Sequence, residues 1–276
     1  MTGMESLRDI AIELVTDTAE LIRDRRAELG DLRDYTMTKS SAVDPVTVVD
    51  TAAEEFLAER IAQARPEDGL IGEEGTQQAS ASGISWVVDP IDGTVNFIYG
   101  IPHYAVSVAA ALDGEPVAGA VINVATGELW AAAKDAGATV TRDDKTHPLR
   151  VNEVDELGRA LVATGFGYTA SRRAEQARII AGLLPSIRDI RRLGSAAIDL
   201  CHLAEGRVDA YFEHGLNCWD FAAGVVIARE AGAVVEHPPL SVSGEEGNVI
   251  VAGAHGVQEQ LSDQLKQVGG YAPVGR

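Results

Sequence analysis

Apolar residues recur at helical spacing near the beginning of the chain. Between residues 5 and 29 they fall three or four positions apart, which predicts an amphipathic helix that ends at Gly30. A second helix is predicted from Thr47 to about Ala64, because Thr47-Val-Val-Asp50 matches a capping box in its Asp variant. The segment 76–83, which reads TQQASASG, is small and polar and is predicted to be a mobile surface loop.

Strand patterns follow these helices. A short buried strand is predicted at Ile84–Val88, and turns containing glycine then separate a series of strands, which predicts an antiparallel meander. The series consists of Tyr104–Leu112, Glu115–Asn123, Glu128–Lys134 and Ala138–Arg142. Residues 1–150 are therefore expected to form an α+β half, with two helices packed on an antiparallel sheet.

The second half of the chain alternates between strand and helix patterns. Residues 151–276 are therefore expected to form an α/β half with a mixed sheet, joined to the first half as one compact unit without a linker. The predicted strands are Ala160–Thr164, Asp189–Leu193, Val208–Glu213, Ala233–Glu236 and Val249–Ala252. The predicted helices are Ala174–Leu184, Ser195–Glu205, Trp219–Ala231 and Val257–Val268.

Composition narrows the class of protein. Hydrophobic residues make up 46% of the chain and charged residues 24%, which is typical of a globular domain. The formal net charge of −19 argues against a nucleic-acid partner, which would require a basic surface. An anionic substrate would need bound cations to enter such a negative field.

The remaining global features predict a cytoplasmic protein. The two cysteines, Cys201 and Cys218, have no metal-ligand spacing and are expected to be free thiols in a reducing compartment. The N-terminal residues lack a signal-peptide pattern, and no apolar run approaches the roughly 18 residues that span a membrane. No membrane partner is therefore expected.

The candidate chemistry lies in Trp86-Val-Val-Asp-Pro-Ile-Asp-Gly-Thr-Val-Asn-Phe97, where an apolar strand pattern ends in acids. A carboxylate at the end of a buried strand, such as Asp89, is costly unless it is paired or bound to a metal. No Lys or Arg lies between Arg65 and Lys134 to pair with it. Hard divalent cations such as Mg²⁺ prefer oxygen ligands and would supply the missing charge.

The geometry of this motif suits both a cation and an anion. Asp89 and Asp92 lie three residues apart across a turn stiffened by proline, so both side chains and the Ile91 carbonyl are expected to face one point. Gly93 and Thr94 then begin a helical turn, whose free N–H groups would receive a phosphate.

Other acids at element junctions have ordinary structural explanations beside a functional one. Asp50 would cap its helix, and Asp220 would complement a helix dipole. Asp92-Gly93 would form a common turn, and Glu73-Glu74 would be a solvated pair. These alternatives are left open by the pattern alone.

Three motifs together resemble the inositol monophosphatase family of the lithium-sensitive, Mg²⁺-dependent phosphatase superfamily. They are Gly72-Glu-Glu74, Asp89-Pro-Ile-Asp-Gly-Thr94 and Cys218-Trp-Asp-Phe-Ala-Ala-Gly224. The resemblance covers nearly the whole chain from Lys39 onward. The actinobacterial inositol-1-monophosphatase branch is resembled more narrowly by four further segments. These are Val46–Asp50, Thr164–Tyr168, Arg191–Ala197 and Asp209–His214.

The resemblance implies a layered α/β/α/β/α sandwich, a homodimer and two or three Mg²⁺ ions in each site. The implied ligands of the first metal are Glu73, Asp89 and the Ile91 carbonyl, and those of the second are Asp89, Asp92 and Asp220. Glu73, with waters, is the implied ligand of a weaker third ion.

The resemblance also implies roles in catalysis and substrate binding. Asp50 and Thr94, together with Glu73, would position and deprotonate the attacking water. The phosphate would bind the backbone amides of Gly93 and Thr94. The inositol hydroxyls would contact Glu213 and the backbone of Ser195 and Ala196, with Asp92 near the ring. Family members often have Thr at the position of Ser195, which leaves recognition of the ring open.

The expected function is Mg²⁺-dependent hydrolysis of inositol 1-phosphate, and of related small phosphates, by in-line attack of a metal-activated water. Histidinol phosphate, 3′-phosphoadenosine 5′-phosphate and fructose 1,6-bisphosphate are alternative substrates. Glu213 favours a hydroxyl-rich leaving group, since a carboxylate would repel a second phosphate. A non-catalytic protein of the same fold would be indicated by loss of a metal acid, and none is lost. His103, His202 and His214 are expected to be structural.

Overall fold

The computed structural model describes residues 3–29, 32 and 45–275. Within these ranges the chain forms seven α-helices and two β-sheets. The helices are α1 (Gly3–Leu29), α2 (Pro45–Ala64), α3 (Thr94–Tyr99), α4 (Ala170–Leu183), α5 (Ala196–Ala204), α6 (Cys218–Glu230) and α7 (Gln258–Gln267). None of the helices in the described part of the chain is long and apolar enough to cross a bilayer.

The first sheet has eight strands in the order β2-β1-β3-β4-β5-β6-β7-β8. They are β1 (Gly69–Gly72), β2 (Gln77–Gln78), β3 (Ile84–Asp92), β4 (Ala105–Leu112), β5 (Glu115–Asn123), β6 (Leu129–Ala133), β7 (Ala138–Arg142) and β8 (Lys145–Pro148). From β3 to β8 the strands form the expected antiparallel meander, but β1 pairs with β3 in parallel. The predicted antiparallel meander is therefore confirmed, and the sheet also contains the parallel strand β1, which was not predicted.

The second sheet has five strands in the order β10-β9-β11-β13-β12. They are β9 (Leu161–Thr164), β10 (Asp189–Arg191), β11 (Ala210–His214), β12 (Val234–Glu236) and β13 (Val249–Gly253). The pairs β10–β9 and β9–β11 are parallel, whereas β11–β13 and β13–β12 are antiparallel. The expected mixed sheet is confirmed.

The elements stack in five layers. Helices α1 and α2 cover one face of the first sheet, and α5 and α6 fill the space between the two sheets. Helices α4 and α7 cover the outer face of the second sheet. Three apolar clusters lie between these layers, and the most central one joins both sheets to α5 and α6. The layered α/β/α/β/α sandwich expected from the sequence is confirmed.

Three local expectations from the sequence differ from the structure. Helix α2 begins at Pro45, so Thr47 lies inside the helix and the capping box predicted there was wrong; proline suits a first helical turn because its φ is already helical. Strand β3 continues to Asp92 rather than ending at Val88. Residues Gln77–Gln78 form a strand within the predicted loop, and Lys39 lies outside the described residues.

Small residues let the central helices approach the first sheet closely. A Cβ atom added to Gly119 on β5 would lie 3.0 Å from the Cα atom of Ala223 on α6. A Cβ atom on Gly224 would lie 2.7 Å from the Cβ atom of Leu200 on α5. The position of α6, which carries Asp220, therefore depends on glycine at these two contacts.

The Gly119 contact gives a prediction for stability. Gly119→Ala should lower the free energy of unfolding by about 1–2 kcal/mol, because the new methyl group overpacks against α6. Gly158→Ala is a matched control, since its nearest neighbour would lie 4.0 Å away. Thermal unfolding of both variants checks this, and equal stability of the two variants would contradict the close approach.

Candidate active site

Three carboxylates from two distant parts of the chain meet at the end of β3. Asp89 and Asp92 lie on β3, and Asp220 lies in the first turn of α6. One oxygen from each lies within 4.8 Å of the others. Asp89 is only 1% exposed and Asp92 9% exposed, while Asp220 is half-buried. The structure thus brings together the three residues predicted to share a metal, and their role as ligands stays a prediction.

An irregularity in β3 explains why Asp89 and Asp92 face the same point. In a regular strand, residues three apart project to opposite faces of the sheet. Here Asp89 pairs with Ser107 and Asp92 with Ala105, so β3 has one more residue than β4 between these pairs. This bulge at Pro90-Ile91 turns both carboxylates to one side. The Ile91 N–H donates to Asp89 Oδ1 at 3.0 Å and holds that carboxylate in place.

Glu73 joins this cluster through the parallel pairing of β1 and β3. Gly72 is the partner of Val88, so the next residue along each chain segment, Glu73 after Gly72 and Asp89 after Val88, lies beside the other. Their carboxyl groups share a hydrogen bond. The rest of Glu73 is exposed, so it lies at the mouth of the site.

Glu54, which the sequence analysis missed, supports the Glu73 turn from α2. Its carboxylate is buried and accepts hydrogen bonds from the backbone N–H groups of Glu74 at 2.7 Å and Thr76 at 2.9 Å. A side chain at Gly72 would overlap this carboxylate, so glycine is required there. The signal for Glu54 is its place one helical turn after Asp50, on the same face of α2.

Asp92 is held by the beginning of α5. Asp92 Oδ2 accepts hydrogen bonds from Ser195 Oγ at 2.6 Å and from the Ala197 N–H at 2.7 Å. Ser195 is also the N-cap of α5, where its Oγ accepts from the Ile198 N–H. The side chain of Ser195 therefore fixes the Asp92 carboxylate. The contact of the Ser195 backbone with the inositol ring stays a prediction.

Asp220 is fixed by the N-terminal turn of its own helix. Its Oδ2 accepts a hydrogen bond from the Asn217 N–H at 2.7 Å, which completes a capping box. Asn217 Oδ1 in turn accepts from the Gly244 N–H at 2.9 Å. Asp220 thus caps its helix and also faces the cluster, and its role as a metal ligand stays a prediction.

The remaining residues of the motif line the same cavity. Gly93 adopts a positive φ of 94°, which glycine accommodates, and this turns the chain from β3 into α3. The Thr94 hydroxyl donates to the Ile91 carbonyl at 3.1 Å. Glu73, Ile91, Gly93 and Thr94 therefore all border the cavity. Asp50 is buried on α2 and does not border it, so its catalytic role stays a prediction.

The opposite wall of the cavity differs in chemistry. Glu213 on β11 faces it and accepts a hydrogen bond from the Tyr211 hydroxyl at 2.8 Å. Ala196 also borders the cavity, as do Phe166, Tyr168 and Arg192. The Arg192 guanidinium lies 5.9 Å from the centre of the Phe166 ring, and the sequence analysis did not assign it.

Burial and mutual repulsion dominate the electrostatics of the acids. Burial, followed by repulsion from the other acids, raises the pKa values of Asp89 and Asp220 well above their ordinary range. Burial also raises the pKa of Asp92, although hydrogen bonds from Ser195 and Ala197 oppose the shift. For Glu73, desolvation of the carboxyl and the charges of Asp92, Glu74 and Glu54 raise the pKa to about 7.

These acids fit a divalent cation better than a protein counter-charge. Arg172, Arg192 and His214 are the basic residues among the described cavity walls, and burial lowers the pKa of His214. The Arg172 guanidinium donates hydrogen bonds to the carbonyls of Val274 and Glu245. The Arg192 guanidinium lies over the Phe166 ring. Buried carboxylates without such a partner are stabilised by an external cation, and an all-oxygen set is the one that Mg²⁺ and related ions prefer. The residues present therefore fit a hard metal ion.

Chemistry, rather than volume, identifies this cavity as the candidate site. The cavity has a volume of about 180 Å³, whereas two wider clefts of about 580 and 660 Å³ lie elsewhere on the surface. Among the described residues, the cluster of Asp89, Asp92 and Asp220 is the one whose ligand atoms converge for a metal. A wide cleft without convergent groups has no comparable claim.

A layered α/β fold with convergent acids opposite a buried carboxyl group, that of Glu213, has the features of a phosphatase. The sequence model of the inositol monophosphatase family matches residues 3–269. Inositol-1-monophosphatase of Mycobacterium leprae is 47% identical, over 98% of this chain and 97% of its own length. The chain therefore belongs to the inositol monophosphatase family, as its motifs indicated, and the expected enzyme class is confirmed.

Solved structures agree with this assignment. Mycobacterium tuberculosis SuhB superposes with a TM-score of 0.85 at 45% identity, covering 98% of this chain and all of that one (100%). An inositol monophosphatase from Anabaena superposes with a TM-score of 0.80 at 29% identity, covering 96% of this chain and 97% of that one. A relative from Vibrio cholerae, 38% identical over 81% of this chain and 84% of its own, is named Nus factor SuhB.

The raised pKa values give a prediction for stability against pH. Consider a carboxyl group whose pKa is higher in the folded protein than in the unfolded protein. Its contribution to the stability of the fold is complete below the pKa of the unfolded state and is lost as the pH rises through the pKa of the folded state. For Glu73 that window runs from its ordinary value of 4.5 to about 7. Metal-free protein should therefore melt at a higher temperature at about pH 5.5 than at about pH 8.5, and Mn²⁺ should restore the melting temperature at the higher pH.

A charge-matched pair of variants separates the site from the net charge of the whole protein. Glu73→Gln should reduce the difference between the two pH values, whereas Glu59→Gln removes one exposed charge from α2 and should not. Equal effects of the two substitutions, measured by thermal unfolding, would show that the acid cluster does not cause the pH dependence.

Proposed function

We propose that this chain hydrolyses inositol 1-phosphate to inositol and phosphate with Mg²⁺ as its metal. The convergence of Asp89, Asp92 and Asp220 with Glu73, on the opposite side of one cavity from Glu213, carries the proposal. The names of the mycobacterial relatives support it. A homodimer, inhibition by lithium and a cytoplasmic location belong to the same proposal.

The proposed metal ligands are Glu73, Asp89, Asp92, Asp220 and the Ile91 carbonyl. When bound, divalent cations would offset the negative charge of the phosphoryl oxygens and lower the pKa of a bound water. The oxygens that surround them come from rigid elements: β3, the turn after β1 and the first turn of α6. Such elements hold a site more accurately than mobile loops do.

The chain's own groups position the substrate and move the proton. Glu73, with a pKa of about 7, is matched to proton transfer near neutral pH. Thr94 donates its own proton to the Ile91 carbonyl, so the lone pairs of its hydroxyl are free to orient an attacking water. The Gly93 and Thr94 amides are proposed to donate to the phosphate, and Asp50 to assist from behind the turn.

Glu213 is the proposed contact for the leaving group. Burial raises its pKa to about 8, although the Tyr211 hydroxyl and the charge of Arg192 oppose the shift. Protonated or ionised, this carboxyl can exchange hydrogen bonds with an alcohol, which suits a cyclitol. The Ser195 and Ala196 backbone is proposed to contact the ring from the adjacent side of the cavity.

One observation favours a second candidate substrate. Arg192 borders the same wall as Glu213, and a guanidinium binds a second phosphate well. The repulsion that Glu213 would exert on a bisphosphate is therefore partly offset. Fructose 1,6-bisphosphate or 3′-phosphoadenosine 5′-phosphate would use Arg192, whereas inositol 1-phosphate would use Glu213.

Asp92→Asn tests the proposed reaction itself. The substitution keeps an oxygen for Ser195 and Ala197 but removes the charge, so kcat for phosphate release should fall about 10²–10³-fold while the fold is retained. Asp263→Asn, at an exposed position on α7, is the control and should retain activity. Near-normal turnover of a folded Asp92→Asn protein at saturating Mg²⁺ would disprove the assignment.

A panel of substrates with two variants tests the leaving group. The panel contains inositol 1-phosphate, histidinol phosphate, 3′-phosphoadenosine 5′-phosphate and fructose 1,6-bisphosphate. We expect the highest kcat/KM with inositol 1-phosphate, a loss of about tenfold in Glu213→Gln, and little change in Arg192→Gln. Preference for a bisphosphate, abolished by Arg192→Gln, would replace inositol 1-phosphate with the second candidate.

A further inference from the structure

Two buried polar atoms face each other behind the acid cluster. His103 Nε2 and Asp199 Oδ1 lie 3.9 Å apart, and neither has a hydrogen-bond partner among the described residues. The Asp199 side chain is 1% exposed and the His103 side chain 14% exposed. A buried polar atom without a partner destabilises the fold, so two such atoms at this distance are expected to bond each other.

Asp199 is attached to Asp92 through α5. It lies one helical turn after Ser195, and its backbone N–H donates to the Ser195 carbonyl at 3.0 Å. Ser195 Oγ and the Ala197 N–H are the two groups that hold Asp92 Oδ2. Any displacement of this turn of α5 would therefore be transmitted to the Asp92 carboxylate.

His103 is attached to Asp92 from the other direction, through α3. Its carbonyl accepts a hydrogen bond from Asn96 Nδ2 at 2.8 Å, and the same amide nitrogen donates to the Leu193 carbonyl just before α5. A Cβ atom at Gly93 would lie 3.0 Å from the His103 carbonyl, so this backbone packs directly against the turn that follows Asp92.

We infer that His103 and Asp199 share a hydrogen bond that fastens the segment from Gly93 to His103 onto α5 and thereby positions Asp92. The Asn96 amide provides one link between these two parts of the chain, and the His103–Asp199 pair provides a second. Together these links hold in place the beginning of α5, which bonds to Asp92. The inference rests on the metal role proposed for Asp92.

The protonation states of the two residues suit a neutral bond. Burial, followed by repulsion from Asp92, raises the pKa of Asp199 well above its ordinary value. Burial lowers the pKa of His103. A protonated carboxyl then donates to a neutral imidazole nitrogen, which avoids the cost of burying an ion pair. The closing movement of about 1 Å is available because the terminal torsions of both side chains are broad.

Neither residue is a catalytic residue. His103 and Asp199 are absent from the cavity walls that face the substrate, so they act through Asp92 as positioning residues. The nearby thiol of Cys201 is fully buried, and burial raises its pKa well above the usual range, so the pair does not activate it as a nucleophile.

Paired substitutions test the bond. Asp199→Asn keeps a donor for His103 Nε2, whereas Asp199→Leu removes it and keeps the branching of the side chain. The Mn²⁺ dissociation constant from calorimetry should rise about tenfold in Asp199→Leu and stay within about twofold of the normal value in Asp199→Asn. With inositol 1-phosphate, Asp199→Leu should lower kcat with little change in KM. Ile179→Val, a core change in another layer, should lower the melting temperature without altering Mn²⁺ affinity.

A double-substitution cycle on metal-free protein gives a second readout. His103→Phe should weaken Mn²⁺ binding as Asp199→Leu does. The double variant His103→Phe/Asp199→Leu leaves neither polar group unsatisfied. Its loss in melting temperature should therefore be smaller than the sum of the losses in the two single variants. If Asp199→Leu does not fold, His103→Gln and His103→Phe form an equivalent pair, with Gln retaining the bond.

Identical Mn²⁺ affinities of Asp199→Leu and Asp199→Asn, or full additivity in the cycle, would overturn the inference. The unaltered protein distinguishes this failure from failure of the proposed function. If it binds Mn²⁺ and releases phosphate while the variants behave alike, only the His103–Asp199 bond is refuted. If the unaltered protein does neither, the proposed function is refuted first.

Discussion

The mutual repulsion of Asp89, Asp92, Asp220 and Glu73 is the constraint on which the rest of the site depends. Three of these carboxylates converge at the end of β3 and Glu73 borders the same cavity, and the described chain supplies no ion-paired Lys or Arg to neutralise them. Without a cation, burial and repulsion raise the pKa values of these groups. The arrangement therefore opposes stability in the metal-free state and becomes favourable when a divalent cation supplies the missing charge.

The fold holds these acids together by fixing each one from a different direction. A bulge aims Asp89 and Asp92 to the same side of β3, Glu54 supports the Glu73 turn from α2, and a capping box fixes Asp220. Close glycine contacts between β5, α6 and α5 bring the helix that carries Asp220 near the sheet. Because every acid is held by hydrogen bonds to backbone or by a neighbouring helix, the arrangement of the four acids does not depend on a bound metal.

Much of the fold follows from local pattern, and the differences have physical causes. Strand and helix periodicity predicted the meander and the alternating second half, because those elements bury one continuous apolar face. The parallel pairing of β1 with β3 was missed because it depends on a long-range partner that no short window of sequence contains. The capping box at Thr47 was wrong because Pro45 can begin the helix two residues earlier.

The candidate site was predictable where its residues form one motif and unpredictable where they act across the fold. Asp89, Asp92 and Gly93 stand together in the chain, so their spacing carried the signal. Glu54 and Arg192 acquire their roles only through contacts with distant segments, as does the approach of His103 to Asp199. The division of the chain at about residue 150 and the role of Asp50 stay predictions.

Anomalous scattering from crystals grown with Mn²⁺ tests the central claim most directly. The account predicts at least one manganese peak within bonding distance of carboxylate oxygens from Asp89, Asp92 and Asp220 together. The account is contradicted if crystals saturated with Mn²⁺ show no manganese peak at these three carboxylates, whether the ion is bound elsewhere or not at all.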